Sequence, residues 1–289
     1  MKRIGLLLKL LRPHQWIKSG FVFVGLLFGH AWSDPVLVRQ VVLAAVAFSL
    51  AASAVYVMND LVDRERDRLH PEKCRRPLAS GALAPFEAII LGAVCLMAAL
   101  VLAQAVSATV LLIVLAYIAL NIAYSRGLKH VVLLDVFIIA TGFMLRILAG
   151  TLGVGIAPSH WLLLCGLTVT LFLGFAKRRA ELNALEENSG SHRAVLDDYD
   201  PALLDKLIGI SAAAAIISYS LYTVSADTVR MHGTDRLIFT VPFVVYGVFR
   251  YLFLLHRRGG GGDPAAMLGD RHLLVSVAAW LLTLVLLLA

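Results

Sequence analysis

Residues 57–81 read VMNDLVDRERDRLHPEKCRRPLASG and place three aspartates and six lysine or arginine residues between segments that are almost wholly apolar. The chain as a whole has the opposite character: of its 289 residues, 60% are hydrophobic and 16% charged, and its mean hydropathy is +0.82. Soluble domains are about half apolar and about a quarter charged. The composition therefore indicates a membrane protein in which this stretch is a charged loop at the membrane surface.

Apolar runs long enough to cross a bilayer, which takes about 20 residues in a helix, recur along the whole chain. We predict nine of them, at 17–33, 39–58, 85–105, 107–125, 131–150, 159–176, 206–225, 236–255 and 272–288. The runs are continuous rather than alternating, which argues against a transmembrane β-barrel. We therefore expect an all-α, polytopic membrane bundle of about nine transmembrane helices that forms one domain over residues 1–289.

The distribution of positive charge predicts the topology. Of the 26 lysine and arginine residues, only Arg39, Arg230 and Arg236 fall in loops that lie outside if the N-terminus is cytoplasmic. Because cytoplasmic loops carry the excess of lysine and arginine, we predict a cytoplasmic N-terminus in the cell membrane. The three long loops, 59–84, 177–205 and 256–271, then face the cytoplasm. The net charge of +7 is explained by this bias and by attraction to phosphate, without nucleic acid as a partner.

The acids of the charged loop have a regular spacing. Asn59, Asp63 and Asp67 are four residues apart, so they share one face if the second predicted helix continues past the membrane, and Asp60 flanks them. Carboxylates stacked in this way repel one another unless a cation lies between them. Mg²⁺ binds through such oxygens together with substrate phosphates. A solvated face beside the membrane explains the arginines but not this spacing, so we predict a Mg²⁺ site with catalytic Asp60, Asp63 and Asp67.

These residues resemble a known family. NDLVDRERD, residues 59–67, fits the N-D-x-x-D-x-x-x-D motif of the UbiA-type intramembrane prenyltransferase superfamily. Further matching segments are RPHQWIK at 12–18, HPEKCRRPLASG at 70–81, YSRGLK at 124–129, DVFIIATGFMLRILAG at 135–150 and KRRAEL at 177–182. Together they resemble the bacterial polyprenyl-phosphate phosphoribosyltransferase branch. The resemblance covers essentially the whole chain and implies one domain with nine transmembrane helices and a Mg²⁺-dependent site.

The loop at 124–135 favours this branch. The aromatic prenyltransferases of the superfamily carry a second Asp-rich motif there, whereas this chain has Arg126 and Lys129 and only Asp135 as an acid. One acidic motif and one basic segment suit two phosphorylated substrates. We therefore expect phosphoribosyl diphosphate, polyprenyl phosphate and membrane lipid as partners, and phosphoribosyl transfer for cell-wall arabinan precursors as the reaction. The oligomeric state stays open, a homo-oligomer included.

Two other functions remain as alternatives. The first is transfer of a polyprenyl group from its diphosphate to an aromatic or haem acceptor, which the basic second loop disfavours. The second is transport of a phosphorylated lipid or a metal. A transporter keeps its polar groups near the middle of the membrane, whereas here they cluster where a helix leaves it, so transport ranks last.

From the resemblance and the positive charges we predict a set of residues that bind substrate phosphate. They are Lys18, Lys73, Arg75, Arg76, Tyr124, Arg126, Lys129, Lys177 and Arg178. For Lys177 and Arg178 an ion pair between Lys177 and Glu181 weighs equally, and for Arg12 we favour an interfacial anchor. Arg146 lies within a predicted span, where pairing inside the bundle is at least as plausible as catalysis. Asp135 and Glu181 are further candidates, and Asp200 with Pro201 predicts a helix start.

Overall fold

The computed structural model describes residues 2–71, 73–187, 198–257 and 269–288, and these residues form helices without any β-strand. The α-helices are α1 Lys2–Leu11, α2 Val24–Phe28, α3 Pro35–Val62, α4 Arg64–Arg68, α5 Pro85–Val106, α6 Ala108–Arg126, α7 Leu134–Ala149, α8 His160–Glu187, α9 Pro201–Val224, α10 Ala226–His232, α11 Val241–Arg257 and α12 Arg271–Leu288. Short 3₁₀ segments are Pro13–Phe23, Lys73–Arg75, Leu128–His130, Leu152–Val154 and Arg236–Thr240. The all-α prediction is confirmed. The middle parts of two predicted loops, 188–197 and 258–268, lie outside the described residues.

Eight helical segments in the described part of the chain are long and apolar enough to cross a membrane. They are Pro35–Val62, Pro85–Val106, Ala108–Arg126, Leu134–Val154, His160–Asn183, Pro201–Val224, Arg236–His256 and Arg271–Leu288. Each coincides with one of the nine predicted spans. The polytopic bundle is confirmed, and the first predicted span is the exception.

The first predicted span, residues 17–33, is not one continuous α-helix. α1 ends at Leu11. The next residue, Arg12, has a left-handed φ of 52°, and the chain continues as 3₁₀ helix from Pro13 to Phe23 before the five residues of α2. Its backbone crosses the end of α7 at very short range: a Cβ added to Gly25 would lie 2.0 Å from the carbonyl oxygen of Gly150. A Cβ added to Gly150 would lie 1.7 Å from the carbonyl oxygen of Val22. Apolar composition does not reveal such a crossing.

Side-chain caps explain where several helices begin. The Asp34 carboxylate accepts hydrogen bonds from the first turn of α3, 2.8 Å from the amide nitrogen of Val36, and Pro35 follows it. Asp200 caps α9 in the same way ahead of Pro201, so the predicted helix start is confirmed. Ser107 caps α6. Each cap satisfies amide groups that have no partner inside the helix.

The described chain divides into two compact units. The first comprises Met1–Lys129 and Gly142–Pro158, and in it α3 packs against α5, α6 and the first 3₁₀ segment. Its core is rich in small residues of α3, with Ala44, Ala47 and Ala51 fully buried around Phe48. Small side chains let helices in a membrane approach closely, so packing rather than hydrophobic transfer holds them together.

The second unit comprises His130–Thr141 and Ser159–Ala289. In it α8 packs along α9, and α11 packs against both α9 and α12. Its core includes Phe172, Leu204 and Tyr251, with the ring centroids of Phe172 and Tyr251 5.1 Å apart in an edge-on arrangement. That the chain functions as one domain stays a prediction.

Candidate active site

The acidic motif lies where α3 ends. Asp60 and Asp67 are both buried, and a single nitrogen of Arg76, Nη1, donates to Asp60 Oδ1 at 3.0 Å and to Asp67 Oδ2 at 2.6 Å. Backbone hydrogen bonds from Asp63 N to Asn59 O and from Asp67 N to Asp63 O carry the helical ladder across the junction of α3 and α4. This continuation brings two carboxylates seven residues apart onto one cation.

Arg12 belongs to the same cluster. Its Nη2 donates to Asp60 Oδ1 at 2.6 Å, and its guanidinium carbon lies 4.9 Å from the ring centroid of Tyr56. These contacts direct the Arg12 side chain toward α3, and its role as an interfacial anchor stays a prediction. Asp60 thus shares one carboxylate oxygen between two guanidinium groups, which is a strong, charge-assisted arrangement.

Asn59 connects the acidic motif to the end of α6. Ser125 Oγ donates to Asn59 Oδ1 at 2.8 Å, across 66 residues of sequence. This contact brings the predicted basic segment Tyr124–Lys129 beside the acidic motif within the first unit. Arg126 is exposed and Lys129 is half-buried, and neither has a salt-bridge partner among the residues that the structure describes. Tyr124 is half-buried in the same segment.

The chemistry of these side chains suits Mg²⁺. Asn59, Asp60, Asp63 and Asp67 present only oxygen ligands, which a hard cation requires. The Asp63 carboxylate is half-buried and makes no hydrogen bond or ion pair within the described ranges. Across those same ranges, no group of three or more His, Cys, Asp or Glu side chains converges closely enough to hold a metal. The described geometry joins two of the acids through Arg76, so the assignment of the metal ligands stays a prediction.

The remaining predicted phosphate ligands of the first unit differ in how exposed their side chains are. Lys73 and Arg75 are exposed on the 3₁₀ segment that follows α4, whereas Lys18 is half-buried in the first 3₁₀ segment. Arg76, from the same group, contacts carboxylates instead of being left open to solvent. Its partners explain the mixture of signs in residues 57–81, because acids and bases there neutralise one another.

Asp135 is the centre of a buried polar cluster inside the second unit. Its carboxylate is fully buried, and both oxygens are engaged: Oδ2 accepts from Arg178 Nε at 2.6 Å and Oδ1 accepts from the Tyr199 hydroxyl at 2.8 Å. The Tyr199 oxygen in turn accepts from the amide of Leu133 at 2.8 Å. A carboxylate with both oxygens hydrogen-bonded and no exposure has no free side for a metal.

Arg178 is the least exposed of the predicted phosphate ligands, at 1% of its accessible surface. Besides Asp135 it hydrogen-bonds Glu181, one turn further along α8. Lys177, predicted as the ion-pair partner of Glu181, has its Nζ 4.0 Å from Glu181 Oε1, so the closer partner of Glu181 is Arg178. Lys177 remains partly exposed and Arg178 does not.

Tyr199 is a residue that sequence reasoning missed. Burial, and then its hydrogen bond to Asp135, raise the pKa of the Tyr199 hydroxyl, so it stays protonated and donates to the carboxylate. Its neighbour Asp200 has the role predicted for it, as the cap of α9. Nothing in the local pattern separates Tyr199 from an ordinary loop tyrosine, since its partner lies 64 residues away.

Arg146 is buried in the first unit without a carboxylate partner among the described residues. It donates to the carbonyl of Gly142 at 2.8 Å and to the hydroxyl of Tyr117 at 3.0 Å, while its Nε has no acceptor. The rings of Tyr117, Phe48 and Phe143 surround the guanidinium at 4.6, 5.5 and 5.6 Å. Pairing inside the bundle is thus observed, through aromatic faces rather than through an acid.

Comparison with known proteins extends these observations. The model of the UbiA prenyltransferase family matches residues 19–274. Decaprenyl-phosphate phosphoribosyltransferase of Mycolicibacterium smegmatis is 32% identical over 290 residues, covering 96% of this chain and 91% of the relative. The protein of that name from Corynebacterium glutamicum is 32% identical over 289 residues, covering 96% and 85%.

Solved structures share the fold. The structure of a UbiA homologue from Archaeoglobus fulgidus bound to GPP and Mg²⁺ has a TM-score of 0.73 at 19% identity and covers 98% of this chain and 99% of that one. A digeranylgeranylglyceryl phosphate synthase has a TM-score of 0.65 at 18% identity, with coverage of 99% and 95%. The chain is a multi-pass membrane transferase, and it belongs to the UbiA prenyltransferase family.

Proposed function

We propose that this protein transfers a phosphoribosyl group from phosphoribosyl diphosphate to a polyprenyl phosphate, releasing pyrophosphate at the cytoplasmic face of the cell membrane. The product is a precursor for cell-wall arabinan. The 32% identity to decaprenyl-phosphate phosphoribosyltransferases over nearly the whole chain supports the reaction class.

The contact between Ser125 and Asn59 carries the proposal. It holds a segment with two cations, Arg126 and Lys129, against a motif with three acids inside one compact unit. A donor diphosphate with its metal requires oxygen ligands, whereas a lipid phosphate requires cations. An acidic motif and a basic segment side by side therefore suit a reaction between two phosphorylated substrates.

The state of Asp135 also favours phosphoribosyl transfer over prenyl transfer to an aromatic or haem acceptor. A second acidic motif supplies further metal ligands in the aromatic prenyltransferases, and Asp135 is the single acid of residues 124–135. Its two oxygens are taken by Arg178 and Tyr199. Of these two acidic segments, the motif at the end of α3 is then the one left for a metal-bound diphosphate.

The proposed transfer requires mainly that the two substrates are held in the correct orientation. An oxygen of the lipid phosphate attacks C1 of the ribose, a new C1–O bond forms, and the bond from C1 to the diphosphate oxygen breaks with its electron pair leaving on pyrophosphate. The attacking phosphate is already anionic, so no general base is required. Mg²⁺ held by Asn59, Asp60, Asp63 and Asp67 would neutralise charge on the leaving group.

The arginines of the acidic cluster hold this machinery in place. Arg12 and Arg76 keep Asp60 and Asp67 in fixed positions, which lowers the reorganisation needed when the donor binds. Lys73 and Arg75, exposed on the adjoining 3₁₀ segment, then supply positive charge for phosphate.

The test is a transfer assay with purified protein in detergent, phosphoribosyl diphosphate labelled in the ribose, polyprenyl phosphate and Mg²⁺. We expect a labelled lipid, and about 100-fold slower transfer for Asp67→Asn, as for the loss of one charge-stabilising group. Asp205→Asn is the matched control, because Asp205 pairs with Arg179 at a partly exposed site on α8 and α9 and should leave transfer unchanged. Absence of labelled lipid with the wild-type protein would refute the proposal.

A further inference from the structure

The groove between α11 and α12, in the second unit, has no part in the proposed reaction. It is an open groove with a volume of about 360 Å³, which lies within the range of small-molecule sites. Phe243 and Tyr246 of α11 form one wall, and Arg271, Val275 and Ala279 of α12 form the other, so the groove combines polar and apolar lining.

Two hydrogen bonds between α11 and α12 show which residues of the two helices lie at the same level of the groove. The Tyr246 hydroxyl lies 3.3 Å from Nδ1 of His272, and the Ser276 hydroxyl donates to the carbonyl of Phe243 at 2.8 Å. The helices run antiparallel, so Tyr246, Arg271 and His272 form one end. Phe243 of α11, together with Val275 and Ala279 of α12, lines the part of the groove that lies farther from this end.

The polar end coincides with the first charges on both helices. Residues 241–249 of α11 and 273–288 of α12 contain no charged side chain, and the charges begin at Arg250 and at Asp270, Arg271 and His272. Because charged side chains are costly inside hydrocarbon, this level is where the helix pair meets the polar region of the membrane. The apolar part of the groove then faces lipid chains.

Among the residues that the structure describes, the one acid at this level, Asp270, is paired with an arginine. Arg250 donates to both carboxylate oxygens of Asp270, at 3.1 and 2.8 Å, and Asp270 also caps α12 through the amide of Leu273. Arg271 is exposed and has no carboxylate partner in the described part of the chain. The described residues at the groove's polar end therefore carry the net positive charge of Arg271, beside an imidazole and a phenol hydroxyl.

We propose that this groove binds one anionic membrane phospholipid, with its headgroup phosphate on Arg271, His272 and Tyr246 and an acyl chain along Phe243, Val275 and Ala279. Basic pockets between transmembrane helices recognise such headgroups through charge, while the tail contributes apolar contact. None of the described residues that line the groove is an acid, so the groove suits a phosphate that binds without a metal. The proposal is independent of the phosphoribosyl transfer reaction.

Native mass spectrometry of the full chain in detergent tests this with phosphatidylglycerol and phosphatidylcholine of identical acyl chains. We expect phosphatidylglycerol to bind at least about fivefold more tightly, the effect of one interfacial cation, and Arg271→Ala to remove that preference. Arg230→Ala is the matched control, because Arg230 is an exposed arginine on α10 that lines no part of the groove. Ala279→Phe narrows the apolar part and should weaken both lipids while the melting temperature stays unchanged.

Three results would overturn the proposal. The first is equal affinity of the wild-type protein for the two lipids, which would make Arg271 an ordinary surface cation. The second is an unchanged preference in Arg271→Ala. The third is displacement of phosphatidylglycerol by an equal concentration of polyprenyl phosphate in the wild type and in Arg230→Ala but not in Arg271→Ala, which would assign the groove to another lipid.

Discussion

Replacing Asp135 by asparagine keeps the shape of the side chain and removes its charge. Arg178 then stays buried at 1% exposure, with Glu181 as its remaining acidic partner in the described network. Breaking a buried ion pair by removing one member costs about 3–5 kcal/mol, because the other charge is left without compensation. The same change at Asp205, whose pair with Arg179 is partly exposed, should cost about 1 kcal/mol or less.

Thermal unfolding of both variants in one detergent, followed by intrinsic fluorescence, measures the difference. At about 2–4 °C per kcal/mol, Asp135→Asn should lower the melting temperature by roughly 6–20 °C and Asp205→Asn by at most about 4 °C. If the two variants melt within about 2 °C of one another, the buried pair does not stabilise the second unit as inferred.

A double replacement separates charge from packing. Asp135→Leu with Arg178→Met substitutes apolar side chains of similar volume for both members, and such exchanges are often neutral or stabilising. We expect the double variant to melt well above Asp135→Asn. A double variant as unstable as Asp135→Asn would mean that the loss arises from shape and not from an unpaired charge.

Three further changes probe other contacts. Gly150→Ala should destabilise the first unit, because its new Cβ would meet a carbonyl oxygen at 1.7 Å, whereas Gly209→Ala, with open space around it, should be neutral or stabilising in the same melting assay. Tyr199→Phe should lower the free energy of unfolding by about 1–3 kcal/mol. Because the pKa of Tyr199 is raised in the folded state, this stability difference should be constant from about pH 6 to 9. It should shrink only above about pH 10, where the tyrosine of the unfolded chain loses its proton. Arg76→Ala should lower the melting temperature in the absence of Mg²⁺, and added Mg²⁺ should restore the melting temperature by binding the folded protein. In the double variant with Asp67→Asn, added Mg²⁺ should no longer restore it.

The sequence predicted the helical class and eight of the spans, because a hydrophobic run of about 20 residues is by itself long enough to cross the membrane as a helix. It predicted the start of α9 for a similar reason, since Asp200 and Pro201 act on the turn that they begin. The acidic motif was visible because its members share one helical period. All of these features are local in the chain.

What escaped prediction depends on contacts between distant residues. The pairing of Arg12 with Asp60 spans 48 residues, and that of Arg178 with Asp135 spans 43, so neither partner is visible from the other's surroundings. The broken first span follows from a backbone crossing at Gly25 and Gly150, which hydrophobicity does not encode. In each case the missing information is the packing of one helix against another.

The central claim is that the donor is phosphoribosyl diphosphate and the acceptor a lipid phosphate. The most direct measurement gives the purified protein both substrate pairs in one Mg²⁺-containing reaction: phosphoribosyl diphosphate with polyprenyl phosphate, and a prenyl diphosphate with an aromatic acid. Mass spectrometry then identifies the product. We predict polyprenyl phosphoribosyl phosphate with release of pyrophosphate, and a prenylated aromatic acid as the sole product would contradict the account.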